Sequence, residues 1–97
     1  MNKAKRQAWI KEWVQKNTFV DVLNCDFVFA YIKATGVPFE DTNWGAPKCR
    51  TLGQDLAGMV HDGTLSRRCV GLSGNWQPGF PRWVWTYTLA NGQQEKP

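Results

Sequence analysis

The sequence predicts an α+β fold of three helices and a C-terminal antiparallel β-hairpin, in the order α-β-α-α-β-β. Three observations lead there. Apolar residues recur at helical spacing over residues 3–16, 24–35 and 47–62. Helix caps stand at the ends of these runs. The last apolar stretch, 82–89, switches to a period of two. At 97 residues the chain is long enough for one domain, expected over 1–90, followed by a polar tail at 91–97 that is expected to be disordered.

The first helix is predicted over residues 3–16, where Trp9, Ile10, Trp13 and Val14 fall on one face and Asn17 stops it. Thr18 to Val22 is rich in β-branched and aromatic residues and reads as a short strand. The second helix runs from about Asn24 to Thr35. Asn24 caps it, Asp26 favours its positive end, and Phe27, Val28, Tyr31 and Ile32 form its buried stripe. Gly36 ends it and Pro38 forbids continuation. A long connection follows, in which Phe39 and Trp44 are expected to pin the chain to the core.

The third helix is expected to begin near Pro47 and end at Gly63, with Cys49, Leu52, Leu56, Met59 and Val60 on its inner face. Hairpin strands are predicted at 65–72 and 82–89 around a tip, Ser73 to Pro81, too long for a tight turn. Trp9, Trp13, Phe27, Ile32, Leu52, Leu56, Met59 and Leu65 are the expected core.

Six Trp, five Phe and two Tyr provide large buried areas in a short chain, so size alone demands neither disulfide nor metal. The three cysteines, Cys25, Cys49 and Cys69, are odd in number and widely spaced, which points to a reducing compartment. With His61 they lack the paired spacing of zinc sites. No apolar run suits a signal peptide or membrane span, so a cytoplasmic protein is expected. No paired-carboxylate, phosphate-loop or nucleophile–base motif is present, so neither enzymatic activity nor a cofactor is expected.

The net charge of +4 is unevenly placed. Residues 1–17 carry +4, residues 18–47 carry −3 and residues 48–82 carry +3. Two basic segments flanking an acidic one suit a polyanionic partner.

The most specific stretch is Leu52-x3-Leu56-x2-Met59-x3-Gly63-x-Leu65-x-Arg67. A glycine that reverses the chain after a third helix, followed by a Leu on the first hairpin strand, resembles the winged-helix (winged helix-turn-helix) domain. The resemblance spans residues 3–90. The chain departs from it in the connection between the second and third helices, roughly eleven residues where helix-turn-helix units use about three to four. The stretch Gly79-Phe80-Pro81-Arg82-Trp83-Val84-Trp85-Thr86-Tyr87-Thr88-Leu89 is similar to small uncharacterised phage and prophage proteins of enteric bacteria. These resemblances imply a double-stranded-DNA-binding protein, a phage or prophage regulator of transcription. The third helix would enter the major groove and the hairpin tip would act as the wing. The alternative is a winged-helix interaction module for a host or phage protein.

On the DNA reading the basic groups converge on one face with the third helix at its centre, whereas an interaction module would expose an apolar aromatic patch. The outward face of the third helix presents Arg50, Thr51, Gln54, Ala57, Gly58 and His61. Arg suits guanine, Gln suits adenine and Thr suits bases or phosphates; the plain alternative is a solvated polar face. Lys48 at the helix start suits a phosphate. Gly53 is expected to pack closely on the second helix, while Gly58 either admits a DNA backbone or partner or is simply tolerated. Arg67, Arg68 and Arg82 flank the wing, with Trp76 and Gln77 near its apex. Trp76 either stacks on a base, meets a protein partner, or folds back on Trp83. Lys3, Lys5 and Arg6 either add phosphate contacts or serve solubility.

Overall fold

The computed structural model describes residues 1–43, 45–72 and 81–90. It contains helices α1 (Lys3–Asn17), α2 (Cys25–Thr35) and α3 (Arg50–His61), and strands β1 (Phe19–Val20), β2 (Leu65–Gly71) and β3 (Trp83–Leu89). The fold is mixed α+β: three helices and a three-stranded antiparallel sheet of order β1-β3-β2. Trp44, Trp76, Gln77 and the 91–97 tail lie outside the described residues.

Most helix boundaries have a local cause. The Asn2 side chain accepts from the Lys5 N–H at 2.8 Å, capping α1. Asn24 does the same for α2, accepting from Phe27 N–H at 3.2 Å, and Gly36 closes α2 with φ +72°. After α3, Gly63 adopts φ +88°. Its N–H donates to Val60 O at 3.2 Å, and that of Thr64 donates to Met59 O at 2.9 Å. This pair of bonds satisfies the last carbonyls of α3 and turns the chain into β2.

Thr18, which closes α1, is different. It holds φ +74° and ψ −51°, a conformation that a β-branched residue adopts only under strain. Thr18→Gly is expected to stabilise the protein by about 1 kcal/mol, the strain relieved less the added freedom of the unfolded chain. A urea midpoint that falls for this variant would contradict the reading.

Three elements differ from expectation. Helix α3 begins at Arg50, three residues after Pro47, because Lys48 is held in an antiparallel β-bridge with Glu40. Its N–H donates to Glu40 O at 2.7 Å, and it accepts from Glu40 N–H at 2.8 Å. Lys48 thus precedes the helix, and Cys49 is its N-cap, outside the helix proper but still packed half-buried against the core as expected. The Cys49 thiol reaches the Pro38 carbonyl at 3.7 Å. Phe39 does not anchor the connection: it is 45% exposed, and the buried Ala46 and Pro47 do so instead.

The core gathers Ile10 and Val14 of α1, Phe27, Val28 and Tyr31 of α2, and Leu52, Leu56 and Met59 of α3 against Val20, Leu65, Tyr87 and Leu89 of the sheet. Trp9, Trp13 and Ile32 pack against it only half-buried. The two tryptophans, one helical turn apart, stack at 5.3 Å and cover Phe27 as a lid of rings.

One charged side chain lies inside. Asp55 of α3 is 2% exposed. The Arg6 guanidinium donates to it twice, Nε to Oδ2 at 2.8 Å and Nη2 to Oδ1 at 3.1 Å. The Tyr31 hydroxyl donates to Oδ2 at 2.7 Å. One residue from each helix therefore meets at one carboxylate. Arg6 serves this pair, where the sequence had offered it to phosphate or solvent.

Tyr31 is pushed well above its ordinary pKa of about 10, first by burial, then by its hydrogen bond to Asp55 and that carboxylate's charge. Above about pH 10 the unfolded chain loses this proton while the folded chain keeps it. Unfolding then releases a proton, so stability falls as pH rises. Tyr31→Phe is expected to flatten the fall in urea midpoint between about pH 9 and about pH 11. Burial also raises Tyr87, which accounts for the slope that should remain.

Candidate nucleic-acid interface

Helix α3 has two opposed faces. Leu52, Asp55, Leu56 and Met59 are buried, and Arg50, Gln54, Ala57 and His61 lie exposed on the other side. Their spacing of four, three and four residues is that of a single stripe along a 3.6-residue helix. Thr51 is half-buried at its flank. The stripe is firmly based, because the same helix holds the carboxylate that binds α1 and α2.

Charge stands at both ends of the stripe. Exposed Lys48 and Arg50 lie at the start of α3. At the other end the Asp62 carboxyl is held below its usual range, chiefly by hydrogen bonds from Thr64, and Lys3 adds a positive charge nearby. Lys3 and Lys5 are exposed and free of the Arg6 pair.

The two glycines of α3 behave differently from expectation. A Cβ at Gly53 would meet nothing within 4 Å, so no close packing on α2 requires this glycine. It is exposed, and its cost in helix propensity, about 1 kcal/mol, has no offset within the fold. Gly58 is half-buried and turned toward α1, where a Cβ would stand 3.4 Å from the Gln7 side-chain nitrogen. It belongs to the α1–α3 contact and does not face outward.

The hairpin separates the arginines that the sequence had grouped. Its register pairs Arg67 with Tyr87 and Arg68 with Thr86. Successive residues point to opposite faces. Arg67 therefore lies on the face of Leu65 and Tyr87 yet stays exposed, and Arg68 lies on the opposite face with Ser66. The Arg67 guanidinium carbon lies 4.3 Å from the centroid of the Trp85 ring, a diagonal cation–π contact across the strands. Trp85 in turn meets Trp83 edge-on at 5.4 Å, and Trp83 is 51% exposed. Arg68 and Arg82 are exposed. Trp76 and Gln77, expected at the wing apex, lie outside the described residues.

Asp55 was the residue that sequence reasoning missed. Its signal was the i, i+3, i+4, i+7 series Leu52-Asp55-Leu56-Met59, which puts a carboxylate on the buried stripe and calls for a cation elsewhere. Cys25 and Cys69 are exposed, and no cluster of metal-ligating side chains occurs among the described residues. No described helix is long and apolar enough to cross a membrane. No protein-family model, curated protein or solved structure matches the chain.

Proposed function

We propose that this chain is a winged-helix protein that binds double-stranded DNA, with α3 in the major groove and the β2–β3 hairpin as the wing. The observation that carries the reading is the exposed Arg50–Gln54–Ala57–His61 stripe, backed by a buried stripe on the same helix. Arg and Gln at its N-terminal end are side chains that read guanine and adenine, and Ala57 between Gln54 and His61 lets the helix approach the base edges. Lys48 at one end and Lys3 near the other suit phosphates on either side of the groove. Arg68 and Arg82 extend the contact along the backbone, which positions a protein without reading sequence. Arg67 is already engaged with Trp85 and contributes less.

The cellular role proposed with it is regulation of phage or prophage transcription. The reading is tested by fluorescence anisotropy of labelled duplexes at several salt concentrations. DNA binding through these cations makes log affinity fall linearly with log salt. The competing reading, a protein-interaction module, draws on the exposed Phe19, Phe29 and Trp83. It would be favoured by absence of binding at low salt.

A further inference from the structure

A groove of about 620 Å³ lies between the start of α2, the connection before α3 and the first turn of α3. Its volume is within the usual range of small-ligand sites, about 300–1,000 Å³. Val22, Leu23 and Pro81 give it accessible apolar walls over the buried Val28, Pro47 and Leu52. Among the described residues its charged rim carries Lys48 and Arg50 against the single carboxylate of Glu40. Neither cation has an ion pair among the described residues.

Two further features suit an occupant. Gly53 lines the groove, and no atom within 4 Å requires a glycine there. Its effect is to leave the groove wide at the cost of helix propensity. The first turn of α3 has no acidic residue, and its N-cap, Cys49, makes no side-chain capping bond. The N–H groups of that turn, beside Arg50, complement a negative charge.

We propose that this groove binds a small aromatic carboxylate. The ring lies against Val22, Leu23 and Pro81, the apolar side chains of the lining that are exposed or half-exposed, and the carboxylate meets Arg50 and Lys48 at the start of α3. Because those two cations also belong to the proposed DNA contact, an occupied groove competes with phosphate, and by linkage DNA weakens the ligand equally. That consequence rests on the DNA reading, but the binding site itself does not.

The test uses the full chain and no DNA, so its failure is distinct from failure of the DNA reading. Naphthalene-1-acetate and its neutral counterpart, 2-(1-naphthyl)ethanol, are titrated while ¹H–¹⁵N correlation spectra are recorded. The carboxylate is expected to give saturating shifts at the Leu23, Val28, Leu52 and Gly53 amides, and the alcohol to bind about tenfold more weakly for want of the charge-assisted contact. Gly53→Leu, which raises helix propensity, is expected to fill the groove and abolish the shifts. A combined Lys48→Gln and Arg50→Gln variant, altered only at exposed side chains, is expected to bind the carboxylate as weakly as the alcohol. Absence of saturating shifts at these amides, equal affinity for the two probes, or unchanged binding by Gly53→Leu would each overturn the proposal.

Discussion

Replacing Asp55 with alanine is expected to destabilise the protein by about 3–5 kcal/mol, the cost of removing one partner from a buried ion pair. The carboxylate is 2% exposed and holds three hydrogen bonds from two other helices. Without it the Tyr31 hydroxyl loses its acceptor in the core, and an unsatisfied buried group alone costs about 1–3 kcal/mol. Arg6 loses its counter-charge, although its side chain is 18% exposed and regains some water. That partial access places the expected loss toward the lower end. For a small domain with about 5–15 kcal/mol of stability, even the lower figure is a large fraction. The measurement is the urea midpoint followed by tryptophan fluorescence. A midpoint equal to that of the parent would mean that α1 and α3 hold together without this carboxylate.

The same argument predicts that the trio is dispensable as a whole, although removing Asp55 alone is costly. Replacing Asp55 with Leu, Arg6 with Met and Tyr31 with Phe together leaves no buried polar group behind. Such apolar replacements of a buried ion pair are often neutral or stabilising. The triple variant should recover most of what Asp55→Ala loses. What the native trio adds is direction: each guanidinium or hydroxyl bond fixes one helix on another, where apolar side chains slide more easily.

Much of the architecture was legible because its causes are local. Asn24, Gly36 and Gly63 act within one helical turn of where they stand, so the ends of α2 and α3 could be read from them. The alternation from Trp83 to Leu89 identifies β3 without reference to its partners, and β2 follows from the turn after Gly63. The start of α3 was not legible, because the force that keeps Lys48 extended is its backbone pairing with Glu40, across a connection with no periodic signal. Gly53 and Gly58 look alike in sequence, but one faces open space and the other Gln7. Arg67 and Arg68 look like one basic pair until the strand register sends them to opposite faces. Arg6 looks like one of several N-terminal cations, and only the approach of α1 to α3 assigns it to Asp55. For the candidate interface, Arg50, Gln54, Ala57 and His61 were therefore readable from helical phase alone, while the half-burial of Thr51 and Gly58 and the division of the flanking cations required tertiary structure.

The stripe makes the second large prediction, and it separates two kinds of contact. Arg50→Ala and Gln54→Ala should each reduce affinity for a preferred duplex by about 1–3 kcal/mol, roughly 5- to 150-fold, because each removes a side chain suited to paired hydrogen bonds with one base. Gln54→Ala should leave the salt dependence unchanged, since no charge is lost, and relax preference at one base pair. Arg68→Ala should weaken binding to every sequence and flatten the slope of log affinity against log salt by about 0.9, one phosphate contact on duplex DNA. Arg67→Ala should change that slope less, because its guanidinium lies over Trp85. The preferred duplex is obtained by selection from a random library, and the variants are compared on it and on random duplexes by anisotropy. If Gln54→Ala and Arg68→Ala both lose affinity uniformly, the stripe binds backbone and does not read sequence. Binding that survives the combined loss of Lys48, Arg50 and Gln54 keeps DNA as the ligand but moves its site away from α3. Absence of binding at low salt, to random and selected duplexes alike, removes DNA altogether and leaves the exposed aromatic side chains as the surface for a protein partner.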